Sequence, residues 1–137
     1  MEKASLEKSE LMTKHICLGF LMAAIITYTI LYFSPVSNES TLMLVIFNFL
    51  FISLIFPLRR KLGKKLTLLL VGNMIGLLWN TIFSMFAYTA VHFIGEVFNV
   101  FYMILNPLLN LVWIVSFWSI SLSFLASSRD SRSLSET

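Results

Sequence analysis

The stretch Arg59-Arg60-Lys61-Leu62-Gly63-Lys64-Lys65 places five basic residues in the middle of a strongly hydrophobic chain. On each side of this stretch lie two long runs without charged residues, and a short polar turn separates the two runs. Such a pair of runs is typical of two membrane-spanning helices joined as a hairpin. The chain is therefore predicted to be an all-α integral membrane protein whose four transmembrane helices form two sequential helical hairpins.

The overall composition points to the same class of protein. Of the 137 residues, 58% are hydrophobic and 12% are charged, whereas soluble domains carry roughly 25% charged residues. The net charge of +3 is concentrated in the two ends and the central loop. The expected partners are therefore the lipid bilayer and its anionic headgroups rather than a nucleic acid.

The boundaries of the predicted spans follow from the uncharged runs and from the prolines. Pro35 and Pro57 are expected to end the first two spans, and Pro107 is expected to kink the fourth. The transmembrane domain is predicted to cover residues 15–128. The predicted segments are a charged cytoplasmic start at 1–14, spans at 15–34, 41–57, 66–92 and 97–126, a basic loop at 58–65, and a polar, disordered tail at 127–137.

The distribution of lysine and arginine gives the predicted orientation. All ten basic residues lie before the first span, in the central loop or after the fourth span, and the other two turns contain none. Basic residues in short segments mark the cytoplasmic side, so both termini are predicted to be cytoplasmic in a multi-pass protein of the cell membrane. The loop residues expected to contact headgroups are Arg59, Arg60, Lys61, Lys64 and Lys65.

Small and polar residues recur every four positions along the third span. Gly72 and Gly76 form a GxxxG motif, which allows a neighbouring helix backbone to approach closely. Asn80 and Ser84 continue the same face and can form hydrogen bonds across such a contact. This pattern predicts a helix-packing surface, and a strip that lines a pathway is the alternative.

Three asparagines lie near one face of the fourth span. Asn99, Asn106 and Asn110 follow one another at spacings of seven and four residues. An amide inside a membrane is costly without a hydrogen-bond partner, so this face is expected to oppose the third span, where Asn73 and Asn80 could pair with it. A hydrated pathway between the same two faces is the alternative.

The predicted spans contain no aspartate, glutamate, lysine or arginine. Carriers coupled to ions or protons usually place such a group in the membrane, and small multidrug exporters of this length depend on a glutamate in their first span. His92 and Glu96, with Glu39 on the same side of the membrane, are weak candidates for metal ligands without the context of a zinc motif. Neither a metal, a cofactor nor an enzymatic activity is predicted.

The run Thr81-Ile82-Phe83-Ser84-Met85-Phe86 is similar to the Thr-x-Phe-Ser-x-Phe stretch of small four-helix fluoride channels. Those channels also use an asparagine of the second span, a position that Asn48 could match. Their glycine-rich start with an arginine is missing from the first span of this chain. The resemblance therefore covers about seven residues, and no functional residue is transferred from it.

The predicted function is that of a non-enzymatic interaction protein or accessory subunit. It would act through helix–helix association, either with copies of itself or within a larger membrane complex. The alternative is a small oligomeric channel or transporter lined by the asparagines and serines of the spans, because four helices alone rarely enclose a pore.

Overall fold

The computed structural model describes residues 2–33 and 38–127. These residues form four α-helices: α1 (Glu2–Phe33), α2 (Asn38–Ile55), α3 (Leu62–Ile94) and α4 (Val97–Ser127). Each helix is long and apolar enough to cross a membrane, which confirms the predicted all-helical class with four candidate spans. The predicted turn at Pro35 and most of the predicted tail lie outside the described residues.

The helix boundaries differ from the predicted spans at three places. The charged start and the first span form one continuous helix, and α2 already begins at Asn38. A carboxylate such as Glu39 is favourable in the first turn of a helix, where the backbone N–H groups are unpaired. At the basic loop, α3 begins at Leu62, so Lys64 and Lys65 belong to its first turn rather than to the loop.

The helices are arranged with α2 and α3 in the centre. Helix α1 packs against α2 and α3, and α4 packs against α3 and α2 from the other flank. Within the described ranges, α1 and α4 do not approach each other. The outer surfaces of the flanking helices consist largely of exposed leucine, isoleucine, valine and phenylalanine side chains, as expected for helices that face lipid.

Contacts between α2 and α3 define their register. The side chain of Asn48 meets that of Asn73, and Leu44 lies against Gly76. Residue numbers rise along one helix as they fall along the other, so the two helices are antiparallel.

An aromatic cluster between α2 and α4 forms the centre of the bundle. The ring centroids of Phe47 and Trp113 lie 5.1 Å apart, and those of Phe51 and Phe117 lie 6.1 Å apart. Both pairs show the same offset in sequence, so α2 and α4 run parallel. In a bilayer such packing stabilises the bundle through dispersion contacts, because lipid removes most of the hydrophobic driving force between helices.

Helices α3 and α4 continue well beyond the start of α2. Because Leu44 lies against Gly76, the first residue of α2, Asn38, lies alongside Ile82 of α3. We call residues 82–105, the hairpin formed by the end of α3 and the start of α4, the outer extension. It projects about 20 Å past the start of α2, at 1.5 Å per residue.

Candidate functional site

The strip of small and polar residues on α3 is divided between two environments. Gly72, Gly76 and Asn80 are buried inside the bundle. Ser84 is exposed, and Tyr88, which continues the same spacing, is 80% exposed. The boundary coincides with the start of α2 alongside Ile82. The inner part of the strip therefore packs within the chain, and its outer part lies on the outer extension.

The two glycines of the strip accommodate bulky side chains from α2 and α4. A Cβ atom added at Gly72 would collide with the ring of Phe47 and would lie 2.7 Å from Phe117. A Cβ atom at Gly76 would lie 2.6 Å from the ring of Trp113. The GxxxG motif thus makes room for aromatic side chains of the same molecule.

A reciprocal amide pair connects the two central helices. Asn48 Nδ2 donates to Asn73 Oδ1 at 2.8 Å, and Asn73 Nδ2 donates to Asn48 Oδ1 at 2.7 Å. Asn73 also donates to the Leu69 carbonyl, and Asn48 donates to the Thr27 hydroxyl of α1 at 3.4 Å. Since both amides are buried, this pair fixes the register of α2 against α3 and links both to α1.

A second polar network runs along α4 and ends at the start of α2. The indole N–H of Trp113 donates to Asn110 Oδ1 at 3.0 Å, and Asn110 Nδ2 donates to Asn106 Oδ1 at 2.9 Å. Asn106 Nδ2 then donates to the carboxylate of Glu39 at 3.1 Å. The network leads from the buried aromatic cluster to an exposed carboxylate, and each of its amides has a hydrogen-bond partner.

These partners differ from the pairing that the sequence suggested. Asn73 and Asn80 were expected to pair with α4, but Asn73 pairs with Asn48 of α2, and Asn80 donates to the Gly76 carbonyl of its own helix. Asn99 is exposed at the start of α4. Asn48 was not among the predicted helix-packing residues. Its side chain is the only amide within the apolar run of α2, and this isolated polar group could have indicated a contact with another helix.

The weak metal candidates do not come together. Glu39 lies at the level of Asn106, whereas His92 lies at the far end of the outer extension, about 16 Å further along the helix axis at 1.5 Å per residue. His92 and Glu96 are both exposed near the α3–α4 turn. The described ranges contain no group of three or more histidine, cysteine, aspartate or glutamate side chains that could hold a metal ion.

The basic loop lies at the opposite end of the bundle. Arg59, Lys61 and Lys64 are exposed, and Arg60 is half-buried. Lys65, expected to contact headgroups like the others, is 1% exposed, and its ammonium group donates to the Phe56 carbonyl at 2.6 Å. Because Phe56 follows the last residue of α2, this bond satisfies one of the carbonyls left unpaired at the helix end.

Several of the buried polar side chains connect one helix to another. Their hydrogen bonds join α1, α2 and α3 at one level and α2 and α4 at another. Comparison of the chain with family models, curated proteins and solved structures finds no match.

Proposed function

We propose that this chain is a multi-pass membrane protein that works by association with a second copy of itself through the outer extension. One observation carries this proposal. The extension consists of two helices alone, yet large apolar side chains cover its outer surface. Phe93 is 83% exposed, Met103 is 72% exposed and Phe101 is 69% exposed.

Within the extension, α3 and α4 pack against each other only through the faces that they turn toward each other. Ala87 and Ala90 are buried and let α3 and α4 approach closely, and the rings of Phe86 and Phe98 meet at 6.2 Å. Two helices cannot enclose their remaining apolar side chains, which therefore need to be covered by lipid or by a second chain. Two extensions related by a two-fold axis would form a four-helix bundle, the arrangement found in the rest of the chain.

The proposed orientation follows from charge. The basic loop, the start of α1 and the end of α4 would lie on the cytoplasmic side of the cell membrane, with the α3–α4 turn on the other side. A cytoplasm-dependent reporter fused after Thr137 is expected to be active, and the same reporter inserted at the exposed α3–α4 turn is expected to be silent. Activity at the turn would reverse the orientation.

The association is tested by the mass of the purified protein in mild detergent, corrected for bound detergent. Wild type is expected to be a dimer. Ile104 on the extension and Ile120 at the other end of α4 are similarly exposed, at 66% and 64%, so they form a matched pair. Because each substitution occurs twice in a dimer, Ile104→Ser should weaken association roughly tenfold or more. Ile120→Ser should leave it unchanged.

Three outcomes would count against this proposal. A wild-type monomer both in detergent and in lipid nanodiscs would mean that lipid alone covers the extension. Unchanged association in the Ile104→Ser variant would mean that the contact lies elsewhere, and equal loss in both isoleucine variants would mean that it is not confined to the outer extension.

The alternative, an oligomeric channel or transporter, is favoured by the network that joins the exposed Glu39 to Asn106 and Asn110. In that function water would have to enter between α2 and α4 and replace the hydrogen bonds among these groups. Thiol labelling of Asn80→Cys and Asn106→Cys distinguishes the two functions, because a hydrated pathway would expose these positions to a water-soluble reagent.

A further inference from the structure

A cleft of about 590 Å³ lies where the first turns of α1 pass the basic loop. Gly19 of α1 packs against Phe56 at the end of α2, so the preceding residues of α1 run past the end of that helix. They form one wall of the cleft, and the segment from Phe56 to Lys61 forms the other. Sites for small molecules have volumes of roughly 300–1,000 Å³.

Both walls of the cleft supply positive charge. No acidic residue is among the side chains that line it in the described ranges. Such a concentration of one sign of charge attracts an anion. The lining residues that can carry positive charge are Lys8, His15, Arg59, Arg60, Lys61 and Lys65.

The basic groups differ in how firmly they are held. The ammonium group of Lys65 is fixed at the back of the cleft by its bond to the Phe56 carbonyl. In contrast, the guanidinium groups of Arg59 and Arg60 form no hydrogen bond or ion pair with the described residues. A guanidinium group offers a planar fork of donors that matches two oxygens of a phosphate.

The remaining lining of the cleft is apolar and open. Leu11 is 57% exposed, Met12 is 43% exposed and Leu58 is 38% exposed. An inorganic anion would leave these side chains uncovered. A phospholipid would place its phosphate among the basic groups and the start of its acyl chains against the apolar ones.

We propose that this cleft binds the phosphate headgroup of an anionic phospholipid from the cytoplasmic leaflet. The inference rests on the proposed membrane placement, but the cleft is built by a single chain and does not require a dimer. It extends the predicted headgroup contacts of the loop to a defined site that includes Lys8, Leu11 and Met12 of α1. The shared chemistry, a phosphate ester, could also come from a soluble compound.

The test is a lipid titration of the purified full chain in mild detergent, followed by native mass spectrometry. The probes are phosphatidylglycerol and phosphatidylcholine with identical acyl chains, and wild type is expected to bind phosphatidylglycerol more tightly. Lys8→Gln removes one charge from the cleft and should weaken phosphatidylglycerol binding about fivefold. Lys3→Gln removes the same charge from an exposed position earlier on α1 and should leave binding unchanged.

A second pair of measurements distinguishes the source of the phosphate. Inorganic phosphate and glycerol phosphate are expected not to displace bound phosphatidylglycerol, because neither covers the apolar lining. Displacement by either compound at concentrations similar to those of the lipid would overturn the assignment to a phospholipid. Circular dichroism checks that each variant stays folded, and Arg60→Gln replaces Lys8→Gln if that variant does not.

The remaining outcomes are equally decisive. Equal weakening by Lys3→Gln and Lys8→Gln would show diffuse charge attraction and overturn the site, as would equal binding of the two lipids by wild type. Selective lipid binding by a monomeric wild type would remove the proposed dimer and support the cleft. A dimeric wild type that binds both lipids equally would support the proposed dimer and overturn the cleft as a lipid site.

Discussion

The inner and outer halves of α3 carry the same four-residue spacing of small and polar side chains, but their surroundings are opposite. Gly72, Gly76 and Asn80 are buried against α2 and α4, whereas Ser84 and Tyr88 are exposed. The difference arises because α2 has 18 residues and α3 has 33. Spacing defines a face of a helix, and the length of the neighbouring helices decides how much of that face is used within the chain.

The aromatic side chains show the largest contrast between the two halves. Phe47 is 1% exposed and contacts Trp113 and Phe117, whereas Phe93 is 83% exposed on the outer extension. Phe47→Ala should leave a cavity at the centre of the bundle and lower the free energy of unfolding by about 3 kcal/mol. In dilute protein, where the proposed dimer is dissociated, Phe93→Ala should change it by less than about 0.5 kcal/mol.

Both free energies are measured by equilibrium unfolding in mixed micelles of a mild and a denaturing detergent. Similar losses for Phe47→Ala and Phe93→Ala would show that the extension is as tightly packed within one chain as the inner bundle. That result would contradict the division of α3 described above.

The strip itself provides the next contrast. Gly76→Leu places a branched side chain where Trp113 and Leu44 already lie, and overpacking of this kind should cost about 2 to 3 kcal/mol. Ser84→Leu introduces the same side chain two turns later on the same face, where the position is exposed, and should leave unfolding nearly unchanged. A folded Gly76→Leu variant that lost only its association would assign the glycines to a contact between chains.

The amide pair of the inner bundle should show strong coupling. Asn48→Leu or Asn73→Leu alone leaves a buried amide without its partner, which should cost about 1 to 2 kcal/mol. The double variant removes both amides and should lose clearly less than the sum of the two single losses. Additive losses in this double-mutant cycle would mean that the two amides do not stabilise each other.

The sequence was sufficient to predict much of the fold. Uncharged runs, the basic loop and the prolines predicted four apolar helices, and the structure confirms them. The spacing of Gly72 and Gly76 predicted close approach of a neighbouring helix backbone, and in the structure these two positions lie against side chains of α2 and α4. These features are local, because each depends on residues within one or two helical turns.

The sequence could not identify the partner of each face. Asn73 pairs with Asn48 rather than with α4 because α2 lies beside α3 and places the two amides at the same level. Lys65 points inward because α3 begins three residues before it, which turns its side chain toward the Phe56 carbonyl just after the end of α2. Such outcomes depend on the relative placement of helices, which residue spacing within one helix does not determine.

The smallest expected effect concerns access of water to the asparagines. Asn80 and Asn106 are 5% and 6% exposed, so cysteines at these positions should not react with a membrane-impermeant thiol reagent. The exposed native cysteine is first removed by Cys17→Ser. Glu96→Cys, at an exposed position beside the α3–α4 turn, should be labelled fully in the same time and serves as the positive control.

Labelling at either buried position would support a hydrated pathway. Which of the two cysteines reacts would show where water enters. Asn106 bonds to the exposed carboxylate of Glu39, so reaction of Asn106→Cys alone would mean that water enters between α2 and α4 at that end. Reaction of Asn80→Cys as well would require water deeper between α3 and its neighbours, next to Gly76. The inner half of α3 would then be accessible to water like the outer half, and burial would no longer distinguish the two halves.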